Sequence, residues 1–178
     1  MMKDRELLVG VTGGIAAYKT AALVSRLVQA GAGVTVIMTR SATRLVGPKT
    51  FEALTGRPVR TRVFGLGGHP HIELADSADL LCVAPATANI LAKAALGLAD
   101  DLLSTVLLSF AGPILFAPAM NTRMWEKPAV RRNVAQLKDD GAMLIGPEEG
   151  HLSCGATGAG RMAEPEAIFQ AIADALQR

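Results

Sequence analysis

Four short polar segments of this chain carry residues capable of chemistry, and three of them sit directly behind an apolar run. In Thr12-Gly13-Gly14-Ile15-Ala16-Ala17-Tyr18-Lys19 the glycines let backbone approach a ligand, and the helical pattern behind them aims N–H groups and a positive dipole end at it. A phosphate or another anion fits there, and so does a tight turn with no ligand. Two known phosphate loops are excluded by spacing. The dinucleotide fingerprint needs Gly-x-Gly-x-x-Gly, and the P-loop needs Gly immediately before its Lys, where this chain has Tyr18. A mononucleotide phosphate is the expected occupant, with the Thr39 and Ser41 hydroxyls as further donors from the next turn.

Pro118 to Trp125 places Asn121, Arg123 and the single tryptophan after a buried run. Asn121 is either a helix cap, with Met124 and Trp125 packed inward, or a donor to a substrate carboxylate or flavin carbonyl. Cys82, inside Leu80–Ala84, reads as a small, inert core residue. Cys154 lies in the glycine-rich, polar segment Gly150–Met162, where a thiol is accessible; the alternative is a chance loop cysteine. Two cysteines in such unlike surroundings suggest neither a disulfide framework nor a paired metal motif. His69-x-His71 has ligand-like spacing, but no second pair joins it, so no metal site is expected. His71 either caps a helix or transfers protons near neutral pH.

The elements that must position these residues alternate. Leu7–Val11, Val34–Met38, Leu80–Ala84, Pro113–Ala117 and Met143–Ile145 read as strands, the third bounded by Pro85. Helical patterns follow Gly14, extend from Ser41 towards Gly56, and cover Ala88–Leu96, Asp101–Ser109 and Pro128–Leu137. A final helix runs over Ala163–Arg178, with Pro165 near its start. Arg57–Pro70 reads as an irregular loop leading to His71, and residues 147–163 as a glycine-rich loop. Strands alternating with helices predict right-handed crossovers and ligands at the carboxyl ends of the strands. The expected fold is a Rossmann-like (flavodoxin-like) three-layer α/β fold with a mainly parallel sheet, one domain over residues 1–178.

The chain is 178 residues long, 50% apolar and only 19% charged, with a formal charge of +2, so it can bury a core without staples. Basic and acidic residues are interspersed, which leaves no footprint for nucleic acid. No apolar run approaches the roughly 18 residues of a membrane span, and Met1–Glu6 is charged, so a cytoplasmic protein is expected. The low charge fraction suits burial in an oligomer.

Taken in order, four segments resemble the homo-oligomeric flavin-containing cysteine decarboxylases, from about Leu7 to the final helix. They are the Gly13-Gly14-Ile15 turn; His71-Ile72-Glu73-Leu74 leading through Ala84–Asn89 to Gly97–Leu103; the Pro-x-Met-Asn-x-x-Met-Trp signature met by Pro118–Trp125; and the cysteine loop ending Gly160–Pro165. The fourth is similar to that of phosphopantothenoylcysteine decarboxylases of coenzyme A biosynthesis, whose substrate-covering flap carries a catalytic cysteine. Here that flap would span about residues 147–163.

The resemblance implies FMN bound by Gly13, Gly14, Ile15, Thr39, Ser41, Thr87, Ala88, Asn89 and Ala119. It implies His71, Asn121 and Cys154 as catalytic residues, substrate contacts from Asn121, His151, Ser153 and Cys154, and no metal. The implied reaction decarboxylates 4'-phosphopantothenoylcysteine to 4'-phosphopantetheine through a thioaldehyde and an enethiol. The implied assembly is a homotrimer or homododecamer with FMN between subunits. Relatives that act on a C-terminal peptidyl cysteine, and non-catalytic flavin-binding regulatory subunits, are the alternatives. This chain departs from common family residues at Ser77, Ile90 and Ala156.

Overall fold

The computed structural model describes residues 2–63, 68–151, 155 and 157–177. Leu7–Val11 is apolar without interruption and forms the buried part of strand β1 (Glu6–Val11). It pairs in parallel with β2 (Gly33–Met38) on one side and β3 (Leu80–Ala86) on the other. Strands β4 (Ile114–Pro118) and β5 (Met143–Leu144) continue the sheet, again in parallel, in the order β2-β1-β3-β4-β5. Parallel neighbours need crossovers, and the helices that make them cover both faces.

The pleat of β1 divides its side chains between two cores. Leu7, Val9 and Val11 meet α1 (Ala17–Gln29), α2 (Pro48–Thr55) and α8 (Pro165–Ala175) through Leu23, Leu27, Phe51, Ile168 and Ile172. Leu8 faces the opposite layer, built from α3 (Pro70–Asp76), α4 (Ala88–Leu96), α5 (Leu102–Ser109) and α7 (Pro128–Asp139). The expected three-layer arrangement around a parallel sheet is therefore present. Proline opens α2, α3, α7 and α8, where its missing N–H costs nothing. No helix among the described residues is long and apolar enough to cross a membrane.

Three local expectations are corrected. β3 does not stop at Pro85 but runs through it to Ala86; the β3–β4 register shifts between Val83 and Ala86, so Pro85 sits where the ladder is already irregular. His71 does not cap a helix: His69 occupies the cap position, Pro70 already belongs to α3, and His71 lies in its first turn. The segment expected as a glycine-rich loop contains an antiparallel hairpin, β6 (Glu148–His151) with β7 (Thr157–Arg161). Between β4 and α7 lies the one-turn helix α6 (Thr122–Trp125).

Thr20 of α1 is fully buried, and its hydroxyl donates to the Ala84 carbonyl at 2.7 Å, fixing the first crossover helix to the end of β3. Thr20→Val keeps the shape but strips that carbonyl of a donor. The expected loss is about 1–3 kcal/mol of stability, read as a lower midpoint in urea unfolding; an unchanged midpoint would show that the bond contributes nothing.

Candidate active site

The turns behind β1, β2, β3 and β4 meet at one edge of the sheet because backbone contacts hold them there. Gly13 lies against the Ser41 turn so closely that an added Cβ would stand 2.4 Å from Ser41 Cβ. Beside it, a Cβ on Gly14 would meet Pro85 at 3.2 Å and Thr87 at 3.6 Å. Thr12, 2% exposed, donates its hydroxyl to the Pro85 carbonyl at 2.6 Å and accepts from the Thr87 N–H at 3.2 Å. The Ala119 N–H donates to the Ala86 carbonyl at 3.0 Å, which brings in the turn after β4. The Met120 N–H donates to the Gly160 carbonyl at 2.9 Å, which adds the β6–β7 hairpin.

A cleft of about 520 Å³ opens among these turns, at the carboxyl ends of β1, β3 and β4 where the strand order reverses. Gly13, Gly14, Ile15, Thr87, Ala88, Ala119, Asn121 and His151 line it, so eight of the residues singled out from the sequence come together. Thr39 and Ser41 do not line it. They stand behind Gly13, and the Thr39 hydroxyl accepts from the Ala42 N–H at 3.3 Å. Asn89 is exposed in the first turn of α4 and also outside the lining. Ser153, Cys154 and Ala156 lie outside the described residues.

His71 is not part of the cleft formed by one chain. It sits on α3, which packs against α5, with its ring edge-on to His69 at 6.2 Å between centroids. Its Nδ1 is buried with no hydrogen-bond partner among the described residues. Cys82 is enclosed in β3, and burial pushes its thiol up to about 12, which leaves it protonated and inert as expected.

The capping-and-packing reading of the Pro118–Trp125 segment holds in part. Asn121 caps α6, its side-chain oxygen accepting from the Arg123 N–H at 2.8 Å, and it also lines the cleft. Trp125 packs inward with the Arg131 guanidinium 4.8 Å above its ring. Met124 does not; it is 47% exposed and lines the cleft, because adjacent helical positions point about 100° apart.

Sequence reasoning missed a charged group in the same cleft: Lys19 from α1, Arg161 from the end of β7, and Glu164 ahead of α8. The Glu164 carboxylate accepts from Lys19 Nζ at 2.9 Å and from the Arg161 guanidinium. Hydrogen bonding from Lys19, then from Arg161, holds its carboxyl below the usual range against the opposing effect of burial. Lys19 and Glu164 are 145 positions apart, so no local spacing signals the pair.

A family model described as Flavoprotein matches residues 1–177. The coenzyme A biosynthesis bifunctional protein CoaBC of Bacillus subtilis (strain 168) is 52% identical over 173 residues, covering 96% of this chain and 43% of that protein. The protein of the same description from Mycobacterium tuberculosis (strain H37Rv) is 52% identical over 165 residues, covering 92% of this chain and 40% of its own length. The chain thus spans less than half the length of these curated relatives. Among solved structures, the FMN-dependent cysteine decarboxylase SpaF superposes with a TM-score of 0.87 at 37% identity, over 99% of this chain and 98% of that one. A cysteine-to-serine mutant of PPC decarboxylase complexed with pantothenoylaminoethenethiol superposes with a TM-score of 0.89 at 30% identity, over 99% of this chain and 100% of that one.

The seating of the hairpin depends on Gly160. Its φ is +146°, and an added Cβ would lie 2.1 Å from the Met120 carbonyl oxygen, a backbone atom that cannot swing aside. Gly160→Ala is expected to lift β7 off the Met120–Thr122 turn and speed hydrogen exchange at the Met120 amide by about tenfold or more. Unchanged protection there would show that the hairpin is not held by this contact.

Proposed function

The chain belongs to the Flavoprotein family, and from that premise we propose that it decarboxylates 4'-phosphopantothenoylcysteine to 4'-phosphopantetheine with FMN, a step of coenzyme A biosynthesis in the cytoplasm. The observation that carries this reading is the single cleft in which the glycine turn, Thr87, Ala88 and Asn121 meet beneath a hairpin. The CoaBC relatives at 52% identity and the PPC decarboxylase likeness support it.

The residues present fit a flavin mononucleotide. Gly13 and Gly14 line the cleft ahead of the first turn of α1, their backbone packed against Ser41 and Pro85 with no room for a Cβ, and there a phosphate would find backbone donors and a favourable dipole. Ile15, Thr87, Ala88 and Ala119 would wall the rest of the cofactor. Thr39, Ser41 and Asn89 would contribute from the turns that adjoin this wall. When bound, FMN supplies a two-electron acceptor that converts the cysteine thiol to a thioaldehyde and later returns hydride to the enethiol.

Everything else falls to the protein. Asn121 would hold the substrate carboxylate with its amide donors while its cap fixes the side chain. His151 would contact the substrate from the hairpin, which we assign to the flap over the cleft, and Ser153 is assigned a substrate contact as well. Loss of carbon dioxide from the thioaldehyde sends its electrons into the C=S group and leaves an enethiol. Cys154 would then donate a proton as the carbon–carbon double bond is saturated, so no net oxidation remains. His71 would exchange the proton released in the first step.

That last assignment needs a second copy of the chain, since one chain keeps His71 out of its own cleft. Large apolar side chains stay exposed on both parts: Ile15 at 59%, Tyr18 at 62% and Met124 at 47% around the cleft, and Ile72 at 43% beside His71. A homotrimer, alone or gathered into a dodecamer, would cover these surfaces and bring His71 of one copy to the cleft of the next.

Two variants test the roles. Cys154→Ser should still release carbon dioxide but accumulate enethiol and reduced flavin, identified by product mass and visible spectrum; a saturated thiol from this variant would remove Cys154 from its role. His71→Asn should retain FMN and release no carbon dioxide, and ordinary turnover by it would sink that assignment. Peptides ending in cysteine, offered to the wild type beside 4'-phosphopantothenoylcysteine, identify the substrate class: faster turnover of the peptides would overturn the proposed substrate.

A further inference from the structure

The charged group at the mouth of the cleft has a composition that the flavin and the cysteine end of the substrate do not explain. Two cations, Lys19 and Arg161, meet the Glu164 carboxylate, and Glu148, opposite Arg161 in the hairpin, brings a second carboxylate to the Glu164 N–H, so the charges balance and it is the N–H donors that are in excess around Glu164. A carboxylate accepts at about four positions, whereas a lysine and an arginine together present eight N–H groups, so Glu164 can occupy only part of the donor set. The cluster is held rigidly. Lys19 is covered, its side chain 14% exposed, and the Glu164 backbone N–H donates to the Glu148 carboxylate at 3.4 Å. Arg161 lies across the hairpin over Gly150, where a Cβ would meet its guanidinium at 3.2 Å. Its side chain is 40% exposed and lines the cleft, so a ligand can reach it.

We propose that Lys19 and Arg161, held in place by Glu164, form the subsite for the phosphate at the far end of the substrate and so set the preference for a phosphorylated pantothenoylcysteine. This rests on the decarboxylase reading above and goes beyond it by naming what the cleft selects. A dianion between a guanidinium and an ammonium gains charge-assisted hydrogen bonds that an alcohol or a peptide cannot replace. Glu164 keeps both cations aimed at one point while the subsite waits for its anion. The glycine turn and this cluster then serve different phosphates, one of the cofactor and one of the substrate.

The test measures kcat/KM for 4'-phosphopantothenoylcysteine and for its unphosphorylated analogue, using the FMN-loaded wild type and Arg161→Met, with Lys19→Met as the second variant. The wild type is expected to prefer the phosphorylated substrate by about tenfold or more, and each variant to collapse that ratio towards one, mainly through KM. Arg161→Lys should restore part of the preference. Equal use of both substrates by the wild type overturns the subsite while leaving the decarboxylase reading intact. An undiminished ratio in both variants does the same. Loss of FMN on Lys19→Met would reassign that cation to the cofactor phosphate and overturn the proposed division. Release of carbon dioxide from neither substrate by the wild type would instead overturn the decarboxylase reading, and the subsite with it.

Discussion

The Thr12 hydroxyl, almost sealed from solvent, joins the ends of β1 and β3 by donating to the Pro85 carbonyl at 2.6 Å and accepting from the Thr87 N–H at 3.2 Å. A bond of this kind contributes on the order of 1 kcal/mol net, which is small beside the two apolar cores. Its importance is geometric. The strand order reverses between β1 and β3, and adjacent connections there leave by opposite faces, so the sheet edge opens into a crevice. Thr12 sets how far it opens, and Gly13 and Gly14 can then lie against Ser41, Pro85 and Thr87 with no side chain between them.

A cleft with a backbone floor tolerates change in the surrounding side chains better than one built from rotamers. Ile90, one of the departures noted in the sequence, is buried in the core between α4 and the sheet rather than aimed into the cleft. Ser77 ends α3, its hydroxyl donating to the Leu74 carbonyl at 3.0 Å, and it too stands outside the lining. These two departures therefore leave the cleft of one chain intact. The charged mouth behaves differently, because its geometry is made of side chains. With the Glu164 carboxyl held low by its partners, the ion pairs are present above the ordinary carboxylate range and are lost as pH falls through the lowered value. The cluster is thus formed at neutral pH.

The middle of the sheet was legible because β1, β3 and β4 are buried along nearly their whole length and so appear as apolar runs, while α1 and α8 show one apolar stripe each. The glycine turn and Asn121 were legible because each follows such a run. Helix α3 was not: seven residues opening on proline give too short a period to separate from a loop. The hairpin was hidden for a related reason. Gly150, Gly158 and Gly160 argue against strand by propensity, yet Gly158 and Gly160 are what allow β7 to lie flat against Thr122 and Met120. The Lys19–Glu164 pair joins the first helix to the last, a contact that only the closed fold creates.

Asn121 shows how the fold prepares a group before any ligand arrives. A side chain that must be ordered on binding costs about 0.5–1.5 kcal/mol. Here the N–H groups at the start of the four-residue helix α6 need an acceptor, and the Asn121 oxygen meets that need at 2.8 Å. Satisfying the helix therefore also fixes the rotamer. The cap uses the amide oxygen as its acceptor, an orientation compatible with the carboxylate contact proposed for this side chain. Aspartate would cap equally well but would set one carboxylate against another. Under the proposed function, asparagine is favoured over aspartate at this cap by the substrate carboxylate and not by the helix.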